Sequence, residues 1–127
     1  MKIGIISDTH DHIKRVKKAV AIFNREQVAM VIHCGDIVSP FMLQFFKELC
    51  CPIKFLFGNN TGEVMLHLRY AAEFGLAEHE FGTFFSLELD GRKIAAYHGA
   101  HQEITAPLVN RGDSDCVFTG HNHLARI

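Results

Sequence analysis

Seven side chains able to bind a metal ion stand just beyond five apolar runs of this sequence: Asp8 and His10, Asp36, Asn59, His98, and His121 with His123. Each follows its run directly, as when buried strands deliver polar groups from their carboxyl ends to one rim. Carboxylate, amide and imidazole donors with no required thiolate suit two borderline divalent cations, manganese, iron, zinc or nickel rather than calcium. Holding two such ions roughly 3.5 to 4 Å apart needs a bridging carboxylate, and Asp36 is the best candidate. Asp8 and His10 are two apart, so in a chain still extended past Ile6 both side chains point the same way.

The apolar runs that carry these groups are Ile3 to Ile6, Ala29 to His33, Ile53 to Phe57, the return strand of a hairpin, and Cys116 to Thr119. Between the first two, Ile13, Val16, Val20 and Phe23 recur at helical spacing opposite Lys14, Arg15, Lys17 and Lys18, a solvated basic face, with Asp11 as N-cap. Ser39-Pro40 predicts a second helix through about Leu49, with Phe41, Phe45 and Phe46 in the core. Gly58-Asn59-Asn60-Thr61-Gly62 predicts a tight loop, and Thr61 caps a third helix from about Glu63 to Phe74. Phe85, Leu87 and Leu89 alternate with polar residues up to Asp90-Gly91, and Ile94, Ala96 and His98 alternate on the return, which is a hairpin signal. Glu103 to Asn110 predicts a short helix. The order βαβαβα, hairpin, αβ is an α/β arrangement.

The 127 residues suit one domain, residues 1 to 127, able to bury roughly two-thirds of its unfolded surface. A hydrophobic share of 48% beside 21% charged residues is that of a soluble globular chain. A net charge of −1 gives no broad attraction for nucleic acid or anionic membrane. There is no signal peptide and no apolar run of spanning length, so a cytoplasmic protein is expected. Cys34, Cys50, Cys51 and Cys116 show no metal-type pairing and read as buried free thiols.

Taken together, Asp8-Thr9-His10, Gly35-Asp36, Gly58-Asn59, His98 and Gly120-His121-Asn122-His123 resemble the calcineurin-like metallophosphoesterase family, small single-domain prokaryotic phosphodiesterases in particular. The resemblance covers nearly the whole chain. It implies a two-sheet sandwich flanked by helices. It also implies one metal on Asp8, His10, Asp36 and His123 and a second on Asp36, Asn59, His98 and His121, manganese first, with a water or hydroxide bridging them. Asp36, Asn59, His98 and His101 are then the candidates for direct catalysis, and the reaction is hydrolysis of a small-molecule phosphodiester. Two divalent ions against two carboxylates leave the site net positive, which supplies the charge a phosphoester needs.

Two departures qualify that expectation. Thr61 stands where small phosphodiesterases tend to carry an aspartate, and no histidine follows Gly58-Asn59, so substrates with good leaving groups are expected. The chain stops at Ile127, where family members continue with further strands; truncation is expected, or a partner, including a second copy, covering an exposed edge. Of the other histidines, His33 reads as packed core and His12 as a helix-start residue. His101 could contact substrate phosphate or orient a ligand, and His67 and His79 have no assigned role. The competing reading is a non-catalytic protein-interaction scaffold with a retained metal site.

Overall fold

The computed structural model describes residues 1–76 and 79–124. The chain end at Ile127, on which the expectation of truncation rests, lies outside the described residues. Four strands, β1 (Ile3–Ile6), β2 (Met30–His33), β3 (Ile53–Leu56) and β4 (Glu80–Gly82), form a parallel sheet in the order β1-β2-β3-β4. Their crossovers are α1 (Ile13–Arg25), a 3-10 segment (Pro40–Phe46) and α2 (Val64–Glu73). Strands laid down in one direction with right-handed crossovers place every crossover on the same face. The opposite face is thereby left open for a second layer.

That layer is a three-stranded sheet of β5 (Phe84–Leu89), β6 (Arg92–Tyr97) and β7 (Cys116–Phe118), with α3 (Gln102–Asn110) leading from β6 to its parallel neighbour β7. Asp90 and Gly91 both have positive φ (50° and 71°), the backbone a two-residue type I′ hairpin turn requires. The alternation of each central strand sorts its residues between two cores. Val31, Ile53 and Phe55 pack with Val16, Val20, Met42, Leu43, Phe46 and Ala71 on the helical side. Ile32, Cys34 and Leu56 pack with Ile94 and Ala96 between the sheets. The two-sheet sandwich flanked by helices is therefore the fold.

Several local expectations need correction. Asp11 does not cap α1, whose N-cap is His12 without a side-chain bond; its carboxylate instead accepts from the Ser39 backbone N–H at 2.9 Å. The segment from Pro40 is a 3-10 helix that ends at Phe46, its amides bonding three residues back, Met42 to Ser39 O and Lys47 to Gln44 O; it buries Met42, Leu43 and Phe46 and leaves Phe41 50% exposed. Thr61 caps nothing: α2 begins at Val64, and the Thr61 hydroxyl donates to the Gly58 carbonyl at 2.9 Å. β4 has three residues, too few for an alternation to register, and is fixed by pairing Phe81 with Phe55, whose rings stack at 4.9 Å. Cys34 is buried, but Cys50 and Cys116 are exposed and Cys51 half-buried, since the first two lie in a bend and on an edge strand.

Candidate metal centre

The carboxyl ends of β1, β2 and β3 are neighbours because those strands are adjacent and parallel, and the ends of β6 and β7 meet the same rim from the second sheet. The chain does not stay extended after β1. Asp8 and His10 both take left-handed backbone, with φ of 52° and 37°. Their amides donate to Gly35 O at 2.9 Å and to Asp36 O at 3.0 Å, which ties this loop to the one after β2. Asp8 and His10 thus converge through a turn held by its neighbour, not through the pleat of a strand. Asp36, His121 and His123 are left-handed as well, so five of the eight described non-glycine residues with positive φ are candidate ligands. Such strained backbone gathers where surrounding structure holds functional groups in place.

Glycine makes the close approach possible. A Cβ at Gly58 would collide with the Asp36 carboxylate and stand 2.7 Å from its backbone nitrogen. A Cβ at Gly120 would strike Ser7 and the Asp8 carboxylate. The loops after β3 and β7 can therefore press against the two carboxylates only because both positions lack a side chain.

Asp36 is buried and presents one oxygen to each half of the site: Oδ1 is 3.3 Å from His98 Nε2, and Oδ2 is 3.7 Å from His10 Nε2. Asp8 Oδ1 lies 3.3 Å from His123 Nε2, and the His121 backbone N–H donates to Asp8 Oδ2 at 3.0 Å. Asn59 Oδ1 sits 2.8 Å from His98 Nε2 and 2.9 Å from His121 Nδ1. All seven candidate side chains are accordingly linked in one cluster. Donor atoms of Asp8, His10 and His123 lie within 4.8 Å of one another, as do those of Asp8, Asp36 and His98. Asp8 belongs to both groups, whereas the resemblance placed it in one half alone.

Asn60, Thr9 and His33, none of them candidate ligands, support this cluster. Asn60 donates to both oxygens of Asp36, from its backbone and from its side-chain amide, each at 2.8 Å. Burial would raise the Asp36 carboxyl, but these two donations and the neighbouring His98 and His10 outweigh it and hold it below the ordinary range. His98 Nδ1 lies 2.7 Å from the Cys34 carbonyl, which can only accept, so the ring proton sits on Nδ1 and Nε2 is turned into the site. His33 accepts from Gly35 N–H on Nδ1 at 3.2 Å and donates from Nε2 to the Thr9 hydroxyl at 3.0 Å. Its complete burial lowers its pKa from 6.5 to about 3, so it is neutral. His33 is thus core, as expected, and also joins two ligand-bearing loops. The adjacent amides after Gly58 were the available signal for Asn60; nothing local marked the Thr9–His33 pair.

The donor set fits divalent cations. His10 Nε2 is buried with no hydrogen-bond partner among the described residues, and the lone pair of His98 Nε2 faces the oxygens of Asn59 and Asp36. Electron-rich atoms converging in this way are favourable around a cation. His101 stands outside the cluster, exposed at the N-cap of α3 and lining a cleft beside Asn59 and His98. His67 is buried in α2 against Phe57. A larger cleft of about 580 Å³, bordered by Lys17, Phe45 and Phe74, contains none of the seven.

A model of the calcineurin-like phosphoesterase superfamily domain matches residues 1–127. The chain is 42% identical over 123 residues to a phosphodiesterase of Methanocaldococcus jannaschii, covering 97% of this chain and 74% of that protein. A solved archaeal phosphodiesterase superposes with a TM-score of 0.90 at 40% identity, over 99% of this chain and 76% of the other. Zinc-complexed Vps29 of Entamoeba histolytica, 15% identical over 99% of this chain and 67% of its own, shares the fold with a TM-score of 0.64.

Proposed function

Because the chain belongs to the calcineurin-like phosphoesterase superfamily, we propose that this phosphoesterase hydrolyses small-molecule phosphodiesters at a centre built from Asp8, His10, Asp36, Asn59, His98, His121 and His123. The observation that carries this reading is the buried Asp36 carboxylate, with one oxygen facing His10 and the other His98. Two divalent cations, manganese by preference, would neutralise the phosphoryl oxygens and supply a nucleophilic water near neutral pH. Asp36, fixed by Asn60, would bridge the two halves; Asn59, His98 and His121 would serve one half, and His10 and His123 the other together with Asp8, whose carboxylate also lies within reach of the first. The left-handed loops set these groups before substrate arrives, so little reorganisation accompanies binding.

Thr61 offers no proton to a leaving group, since its hydroxyl is committed to the Gly58 carbonyl. Diesters with good leaving groups are the favoured substrates for that reason. Residues 1–127 would act as one domain, in the cytoplasm, with a second copy along the edge of β1, which has no further neighbour among the described residues, as the proposed oligomer. Among the described residues no helix is long and apolar enough to cross a membrane.

The test is metal analysis with hydrolysis of an aryl phosphodiester, an aryl phosphomonoester and an alkyl phosphodiester in manganese, nickel and zinc. The expected result is metal-dependent cleavage, fastest on the aryl diester, with both bound metal and turnover lost in Asp36→Ala and His98→Ala. Full metal content with no turnover in any metal would instead favour the scaffold reading, and full activity in Asp36→Ala would overturn the assigned centre.

A further inference from the structure

We propose that the cleft beside Asn59 and His98 is the subsite for a flat, uncharged aromatic ester substituent of the substrate, an inference that rests on the phosphodiester reading. The cleft is about 210 Å³ and extends from Asn59 and His98 to Phe57, Tyr97, Thr83 and His101. That volume is below the usual range for a whole drug-sized ligand, roughly 300 to 1,000 Å³, and suits one ring system attached to a group bound elsewhere. Sharing Asn59 and His98 with the candidate metal centre puts the attachment point at the phosphoryl group.

The lining selects for chemistry. Among the described residues no lysine, arginine, aspartate or glutamate borders this cleft, so it offers nothing to pair with a second phosphate or a carboxylate. Phe57 and Tyr97 supply aromatic surface, while Thr83, Tyr97 and His101 supply polar atoms for heteroatoms at a ring's edge. The Phe57 ring is already fixed. It stacks on Phe81 at 5.9 Å with planes 25° apart and meets His67 edge-on at 5.8 Å, and Phe81 in turn stacks on Phe55. A ring entering the cleft therefore meets a surface that loses no further freedom on binding.

The experiment uses the manganese-loaded full chain and compares phenyl phosphate, methyl phosphate and inorganic phosphate by calorimetry, beside hydrolysis of bis(4-nitrophenyl) phosphate. Phenyl phosphate should bind about fivefold more tightly than methyl phosphate, a typical worth for an aromatic contact. Ala100, half-buried in the cleft, offers a way to fill it: Ala100→Phe should erase that preference and raise KM for the bis-aryl diester about as much, with inorganic phosphate binding unchanged. Phe57→Leu should weaken the preference while keeping apolar bulk, and it tests the cleft should Ala100→Phe not fold. Equal binding of phenyl and methyl phosphate to the parent protein overturns the subsite, as does an Ala100→Phe loss shared equally by inorganic phosphate. No diester turnover alongside a retained phenyl preference would instead count against the phosphodiester reading and leave the aromatic subsite standing.

Discussion

The Thr9 hydroxyl and Nε2 of His33 lie 3.0 Å apart, both groups buried, and join the loop after β1 to the end of β2. Thr9 stands between two candidate ligands, each on left-handed backbone, so this bond holds the centre of the turn that aims them. Thr9→Val keeps the shape but leaves the His33 N–H buried without a partner, at a cost of about 1–3 kcal/mol. Thermal unfolding of the metal-free protein should show that loss, and Thr9→Ser should recover most of it. An unchanged midpoint in Thr9→Val would show the bond to be dispensable.

The same pair sets a pH dependence. Burial depresses the His33 pKa from 6.5 to about 3, so the folded protein declines a proton that the unfolded chain accepts. The resulting stability is present in full above about pH 6.5 and is lost as pH falls toward 3, at up to about 1.4 kcal/mol per unit. Stability of parent and His33→Asn should therefore be measured by denaturant unfolding between pH 7 and pH 4. The difference between them is expected to shrink as the pH falls; a constant difference would show that His33 does not titrate on unfolding.

Asn60 acts on Asp36 from the exposed rim, through two donations of 2.8 Å. Asn60→Ala removes the side-chain donation and leaves the backbone one. Loss of such a supporting bond typically costs 10- to 100-fold in metal affinity, so competition with a chelating dye should register about that shift. The unfolding midpoint of the metal-free protein should move little because the amide lies at the surface. Metal affinity equal to the parent's would exclude a positioning role.

Gly58→Ala places a methyl group against the Asp36 carboxylate and 2.7 Å from its backbone nitrogen. Backbone cannot swing aside as a side chain does, so one loop must shift, with a cost of about 1–3 kcal/mol. Weakened metal binding and a lowered melting temperature are expected together. A variant with parent-like values for both would show that the loops after β2 and β3 are not in close contact.

The alternation of apolar runs and their polar ends was legible in the sequence. It determined every strand but β4, the hairpin at Asp90-Gly91, and the candidate set from Asp8 to His123, because strand burial and turn chemistry are local properties. The sequence also marked His33 as interior, since it lies inside an apolar run. What it could not determine is how the seven groups meet. Asp8 and His10 converge through left-handed turns secured by Gly35 and Asp36, Asp8 reaches both halves of the cluster, and Asn60 rather than a nearer residue fixes Asp36. Those relationships join residues 24 or more positions apart, or depend on a missing Cβ at Gly58 and Gly120 that lets loops touch. The side-by-side pairing of β1, β2 and β3 and the packing of the second sheet against them decide these contacts, because no residue carries in its own neighbourhood the identity of the atom that will face it across the rim.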